Sequence, residues 1–339
     1  MQGKAVTELQ SLSRRYLVTG GAGFIGSAIV RRLLADGASV RVLDDYSRGS
    51  PRRLADVSKD IESVNGDVRN SAAVDRACAG VDSVIHLASV NGTEFFYSKP
   101  ETVLEVGIKG MLNVIDAAIH HDVPELVVAS SSEVYQTPEH VPTSEDAELS
   151  IPDPLNPRYS YAGAKIASEL LALNYGRKHI GRVLIFRPHN VYGPDMGEEH
   201  VIPQLTGRLL GLADGRPGPV DLPIQGSGNE TRSFVYIDDL VDGVACVIDK
   251  GTHMNIYHVG TTTEISIAEL AMRIGAACGI AVRLVPSAPA AGGTPRRCPD
   301  ISKLARLGYA PRVSLDAGLA KTIAWYREHV SPPVGQTTQ

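Results

Sequence analysis

Short β-branched apolar runs alternate with amphipathic stretches through the first half of the chain. "RYLVT" (15–19), "SVRVLD" (39–44), "DSVIHLA" (82–88), "PELVVAS" (124–130) and "RVLIFR" (182–187) have the length and residue types of buried strands. Between them, "FIGSAIVRRLLADG" (24–37), 99–120 and 158–179 have helical length and periodicity, the first ending at Gly37. A third strand is expected just before "GDV" (66–68). Such alternation predicts a doubly wound α/β fold, a parallel sheet covered by helices on both faces.

After residue 188 the segments shorten and Gly and Pro become frequent, as in "GLADGRPGPVDLP" (211–223), which predicts a smaller second lobe. The apolar spacing of "IDDLVDGVACVIDKG" (237–251) predicts a helix that packs back on the sheet, so the domains interleave along the chain. Residues 14–188 plus about 233–258 are expected to form the sheet domain, and about 189–232 plus 259–330 the lobe. Residues 1–13 read as a flexible leader and 331–339 as a polar tail. The stretch from Gln136 to Pro157 holds five prolines, and so long a connection inside an α/β domain is more often functional than incidental.

Composition narrows the function classes. Across 339 residues, 33 Lys+Arg against 38 Asp+Glu give a net charge of −5, and the basic residues form no long block. That argues against nucleic acid or an anionic membrane as partner and leaves a small anion as the expected one. Cys78, Cys246, Cys278 and Cys298 lie far apart with no CxxC pair, which predicts reduced thiols in the cytoplasm and no metal site. No apolar stretch approaches the ~20 residues of a membrane-spanning helix.

"TGGAGFIG" carries Gly20, Gly23 and Gly26 between the first strand and first helix, with Phe24 and Ile25 opening that helix. Glycines there permit a tight turn and close backbone approach to a pyrophosphate, which the helix N-terminus then attracts. Asp44, closing the second strand, is suited to accept both hydroxyls of an adenosine ribose and to repel a 2′-phosphate, which favours NAD over NADP. Arg48 nearby is a basic residue able to meet a phosphate instead. Asp67 and Val68 are expected at the adenine, and Leu87, Ala88 and Pro188, at later strand ends, around the same cofactor.

"YSYAGAKIASE" sets Tyr161 four residues before Lys165, which on a helix stacks both side chains on one face. A nearby ammonium is expected to lower the phenol from its usual pKa near ~10 and make it a usable acid/base. Ser130, Ser131 and Ser132 fall at the carboxyl end of a strand, where open α/β sheets bind ligands, so a hydroxyl there can hold a substrate oxygen. Glu133 after them reads either as an acid/base or as a turn carboxylate.

The glycine motif, "SSSEVY", Tyr161/Lys165, "RPHNVYGP" (187–194) and "TRSFVYIDDL" (231–240), in this order, resemble the extended short-chain dehydrogenase/reductase family. Within it they resemble the NAD-dependent nucleotide-sugar epimerases, dehydratases and decarboxylases, over about residues 15 to 330. The resemblance implies a Rossmann domain, a smaller nucleotide-sugar lobe and a homodimer formed through the helices of 99–120 and 158–179. It makes Ser131, Tyr161 and Lys165 catalytic, and gives Lys165 a contact to the nicotinamide ribose. It sets Asn190 and Ser132 at the sugar, with Arg232 and Arg297 at the diphosphate. Its chemistry is transient oxidation at sugar C4, after which epimerisation, loss of CO₂ from a uronic acid or loss of water are the outcomes. Dehydratases of the family carry Thr-Asp-Glu where this chain has Ser131-Ser132-Glu133, and decarboxylases carry Thr-Ser-Glu. The expected order is epimerase, then decarboxylase, then dehydratase. A non-catalytic NAD-binding sensor is the alternative of a different class, although sensors typically lose the Tyr or the Lys. Three positions depart from the family pattern: Gln136 stands for a Gly, Gly107 for an Asn, and 88–100 is unlike the common epimerase loop.

Overall fold

The computed structural model describes residues 14–213, 218–288 and 294–329; the expected leader and tail lie outside them. Seven strands form one sheet: β1 (Arg15–Thr19), β2 (Ser39–Asp44), β3 (Ile61–Asn65), β4 (Ser83–His86), β5 (Glu125–Ala129), β6 (Arg182–Pro188) and β7 (Asn255–Val259). Their order is β7-β6-β5-β4-β1-β2-β3 and every pairing is parallel. The order reverses between β1 and β4, which opens a crevice at the carboxyl ends of those strands.

Successive residues of each strand face opposite layers. Val18, Ile85, Val127 and Phe186 join α1 (Phe24–Ala35) and, later in the chain, the helix Ile237–Lys250 in one apolar layer. Leu17, Val84, Leu126 and Ile185 join α2 (Ser71–Cys78), α3 (Gly110–His120) and α4 (Ser160–His179) in the other. The helix Ile237–Lys250 packs on α1, β6 and β7, as its apolar spacing predicts.

The stretch 99–120 differs from the single helix expected. A short helix Pro100–Leu104 passes through a π-helical turn, Glu105–Lys109, into α3. Gly107 sits in that turn against α4, where an added Cβ would lie 2.6 Å from the Cβ of Ala164. Its missing side chain therefore sets the contact between the turn and α4, and Ser168 of α4 donates to its carbonyl at 3.0 Å.

Beyond β6 the chain forms small sheets. Val220–Gln225 pairs with Val282–Ser287, and Thr231–Ser233 pairs with both Glu264–Ser266 and Arg296–Arg297, putting Arg297 opposite Arg232. The Pro-rich connection reaches this region: Thr143 bridges to Pro299, its N–H donating to Cys298 (2.9 Å) and its carbonyl accepting from Asp300 (2.7 Å).

Candidate active site

A cleft of about 380 Å³ lies at the carboxyl ends of the strands. Gly20, Gly23, Phe24, Ile25, Gly26, Asp44, Asp67, Val68, Leu87, Ala88 and Pro188 all line it, together with Ser131, Ser132, Glu133, Tyr161, Lys165, Asn190 and Arg297. Of the expected site residues only Arg232 does not.

The glycine loop is as tight as backbone allows. Gly20 has φ +70, and a Cβ on Gly26 would meet the Gly20 carbonyl oxygen at 2.2 Å. No side chain caps α1 and no acidic residue enters its first turn, so its positive end faces the cleft unneutralised. Asp44 accepts from the N–H groups of Ala22 and Tyr46, each at 2.9 Å, and burial pushes its carboxyl up. Arg69 holds the Asp67 carboxyl below its ordinary range. The Ser130 hydroxyl, buried in the cleft wall, has no partner among the described residues. A glycine cradle, a bare helix terminus, a carboxylate at the β2 end and an orphaned hydroxyl suit a dinucleotide. Arg48, the basic residue able to meet a 2′-phosphate, is engaged across the mouth with Asn91, Glu199 and the face of Phe95.

Tyr161 lies in the first turn of α4, buried, with its ring stacked on Phe96 at 5.1 Å and its hydroxyl in reach of Ser131 and Ser89. Lys165 is one turn on; its ammonium donates to the Ala129 carbonyl at 2.7 Å and stands 5.7 Å from the Tyr161 ring centre. Burial pushes the phenol up to about 12 and the ammonium down to about 8. Dehydration dominates the phenol, with Ser131 and Ser89 lowering it and Glu133 raising it, so the expected lowering by Lys165 does not appear among its causes.

Ser131 caps the single 3₁₀ turn Ser132–Tyr135, accepting from the Glu133 N–H at 3.2 Å. Burial alone would raise the Glu133 carboxyl, but Arg297, 2.6 Å away, with Arg158 and Arg232 nearby, holds it below its ordinary range. The Nε atoms of Arg158 and Arg297 are buried without a partner. Arg232 donates to the carbonyls of Thr231, Thr294 and Pro295, and burial, then Arg297, lower it to about 10. Asn190 has φ +40 and donates to Ser233 at 2.9 Å.

The model of the NAD dependent epimerase/dehydratase family matches residues 16–260. The chain belongs to that family. A dTDP-glucose 4,6-dehydratase of Streptomyces niveus is 33% identical over 93% of this chain and 93% of its own length. The UDP-glucuronic acid decarboxylase 1 of Xenopus tropicalis is 31% identical over 94% of this chain and 73% of its own. The crystal structure of a Thermus thermophilus UDP-glucose 4-epimerase in complex with NAD is 31% identical, with a TM-score of 0.81 over 93% of this chain and all of that one. The family is NAD-dependent, and it holds dehydratases, decarboxylases and epimerases alike.

The departures from the family pattern have physical explanations. Gln136 occupies a left-handed position, φ +53, where glycine is at ease, and its side-chain amide donates to the Glu133 carbonyl at 2.6 Å. The unusual 88–100 loop supplies Ser89 and Phe96 to Tyr161. Sequence reasoning missed Ser89, Phe96 and Arg158. The first two were signalled only by the strangeness of their loop, and Arg158 only by preceding Tyr161 by three residues.

Proposed function

We propose that this chain binds NAD in the glycine-lined half of the cleft and a nucleotide-diphosphate sugar in the other half, and epimerises the sugar by transient oxidation at C4. One observation carries the reading: Ser131, Tyr161 and Lys165 converge in the cleft that the glycine loop opens, with no proton donor at 132 or 133. Bound NAD supplies the hydride acceptor and donor. Ser131 orients the C4 hydroxyl and Tyr161 exchanges its proton, a role that requires the phenol to come down from about 12 once the cleft is loaded with a cationic nicotinamide, while Lys165 places positive charge at the dry end of the site. Phe96 and the buried position of Tyr161 keep water off the proton-transfer path.

Elimination of water from a 4-keto sugar needs an acid for the departing hydroxyl. Ser132 is a neutral hydroxyl and Glu133 is held ionised by Arg297, so dehydration ranks last even though dehydratases stand among the relatives. A second reading, decarboxylation of a nucleotide-linked uronic acid, is supported by the cluster of Arg158, Arg232 and Arg297 around Glu133, more positive charge than one carboxylate balances. We further propose that 189–232 and 259–330 form the nucleotide-sugar lobe. The homodimer is also a proposal, supported by exposed Leu104, Leu170 and Tyr175 on the two helices named for it and refuted by a monomeric mass in solution. No helix among the described residues is long and apolar enough to cross a membrane.

The test is incubation with UDP-, GDP-, ADP-, CDP- and dTDP-linked hexoses and hexuronates, read by mass spectrometry and NMR. Unchanged mass with one inverted centre is the expected result. Loss of CO₂ transfers the assignment to the second reading, and loss of water refutes both. Turnover that survives Tyr161→Phe refutes the site itself.

A further inference from the structure

A second cluster of reactive side chains lies away from the cleft, where α2 meets the end of α3. Asp75 of α2 faces the consecutive His120 and His121, the last residue and the cap of α3. Asp75 Oδ1 is 2.7 Å from His120 Nδ1 and 3.1 Å from His121 Nε2, and all three donor atoms lie within 4.8 Å of one another. Ligand atoms at about 2.0–2.1 Å from a tetrahedral zinc stand about 3.3 Å apart, so small side-chain rotations would close this cluster on an ion. The carbonyl end of α3 adds negative potential at the same point. His120 is 69%, Asp75 40% and His121 23% exposed, which leaves room for water to complete a coordination shell.

We infer that Asp75, His120 and His121 form a binding site for a divalent transition-metal ion of the zinc class, held by two neutral imidazoles and one carboxylate. Such a donor set, mixed nitrogen and oxygen without thiolate, suits zinc, cobalt, nickel or copper rather than calcium or magnesium. The cysteine spacing behind the expectation of no metal says nothing about this histidine pair. The ion would tie α2 to α3, and α3 also braces the cleft wall, where Asn113 donates to the Val68 carbonyl at 2.8 Å. Its effect is on stability, because none of the three ligands lines the cleft.

The experiment uses untagged full-length protein, stripped of metal, since a histidine tag would bind the same ions. Zn²⁺ is titrated by calorimetry and Co²⁺ by its visible absorption at pH 7.5, in the wild type and in Asp75→Ala and His121→Ala. One equivalent bound with micromolar affinity is expected, with a rise in Tm on zinc addition. Each substitution should weaken binding by at least about tenfold and abolish the Tm rise, leaving turnover unchanged. Affinity should also fall in acid, because protons compete with the ion for the ligand atoms. Absence of saturable binding below about 1 mM, or binding that both substitutions leave intact, overturns the inference.

Discussion

Lys165 is 5% exposed and has no carboxylate hydrogen-bonded to it, because Glu169, one turn further on, is taken by Arg187 at 2.6 and 2.8 Å. Its replacement by methionine, of similar length and no charge, tests how much this buried ammonium costs the fold. Burial brings its pKa from the ordinary 10.5 to about 8. At about 1.4 kcal/mol per pH unit, that gap corresponds to about 3 kcal/mol of native-state penalty. The sign follows from proton counting. Below about pH 8 both the native and the unfolded chain carry the proton, and the whole penalty is present. Between about 8 and 10.5 the native state has released its proton and the unfolded chain has not, so stability rises with pH; above 10.5 the penalty is gone. Methionine removes the penalty at every pH but gives up the charged hydrogen bond to Ala129, worth about 1.5–3 kcal/mol. At pH 7 the variant is therefore expected to lie between equal stability and about 1.5 kcal/mol more stable. The sharper expectation is that its advantage over the wild type falls by about 3 kcal/mol from pH 7.5 towards 10.5, since other alkaline titrations cancel in the difference. Urea unfolding of both proteins across this range, followed by the fluorescence of the single Trp325 and by circular dichroism, measures it. A difference constant within about 0.5 kcal/mol over that range refutes the reasoning. Turnover should fall about 10²–10⁴-fold in the same variant.

Two further outcomes are expected. Gly26→Ala forces a Cβ to within 2.2 Å of the Gly20 carbonyl oxygen, so the loop must move. NAD affinity should drop at least about tenfold with a stability loss of about 1–3 kcal/mol, and a calorimetric Kd equal to the wild type's would contradict the close-approach argument. For the Glu133–Arg297 pair, a double-mutant cycle with Glu133→Gln and Arg297→Met should give a coupling of about 1–3 kcal/mol at neutral pH. Because the native carboxyl is held below its ordinary 4.5, the coupling should persist above that pH and vanish as pH falls through the lowered value; a coupling insensitive to acid would show that the two side chains do not meet as an ion pair.

The strands "RYLVT" and "SVRVLD" have the predicted bounds because each is buried on both faces after its first residue and is followed by a turn or a bend. β7 escaped notice because Asn255 and His258 interrupt its apolar pattern; His258 is buried all the same, with its ring nitrogens satisfied by Tyr135 and Asp300. The break in 99–120 was invisible for a similar reason, since the demand on Gly107 comes from Ala164, a contact between distant parts of the chain. At the site, spacing along one loop or one helix was readable: Gly20, Gly23, Gly26, Tyr161 and Lys165. What depends on three-dimensional neighbours was not. Phe96 reaches Tyr161 from another segment, and the direction of the Tyr161 shift depends on dehydration that no spacing encodes.

The bridge between Thr143 and Pro299 has an evolutionary consequence. It ties the segment just after Arg297, which the pairing with Arg232 also holds, to a connection that contains none of Ser131, Tyr161 or Lys165. A change in the length of that connection bears on the Arg297–Glu133 pair, while Ser131, Tyr161 and Lys165 stay where β5 and α4 put them. On the function proposed above, the residues that would move the proton and the ion pair beside them are thus held by separable stretches of chain, so change in a proline-rich loop can reach one without the other.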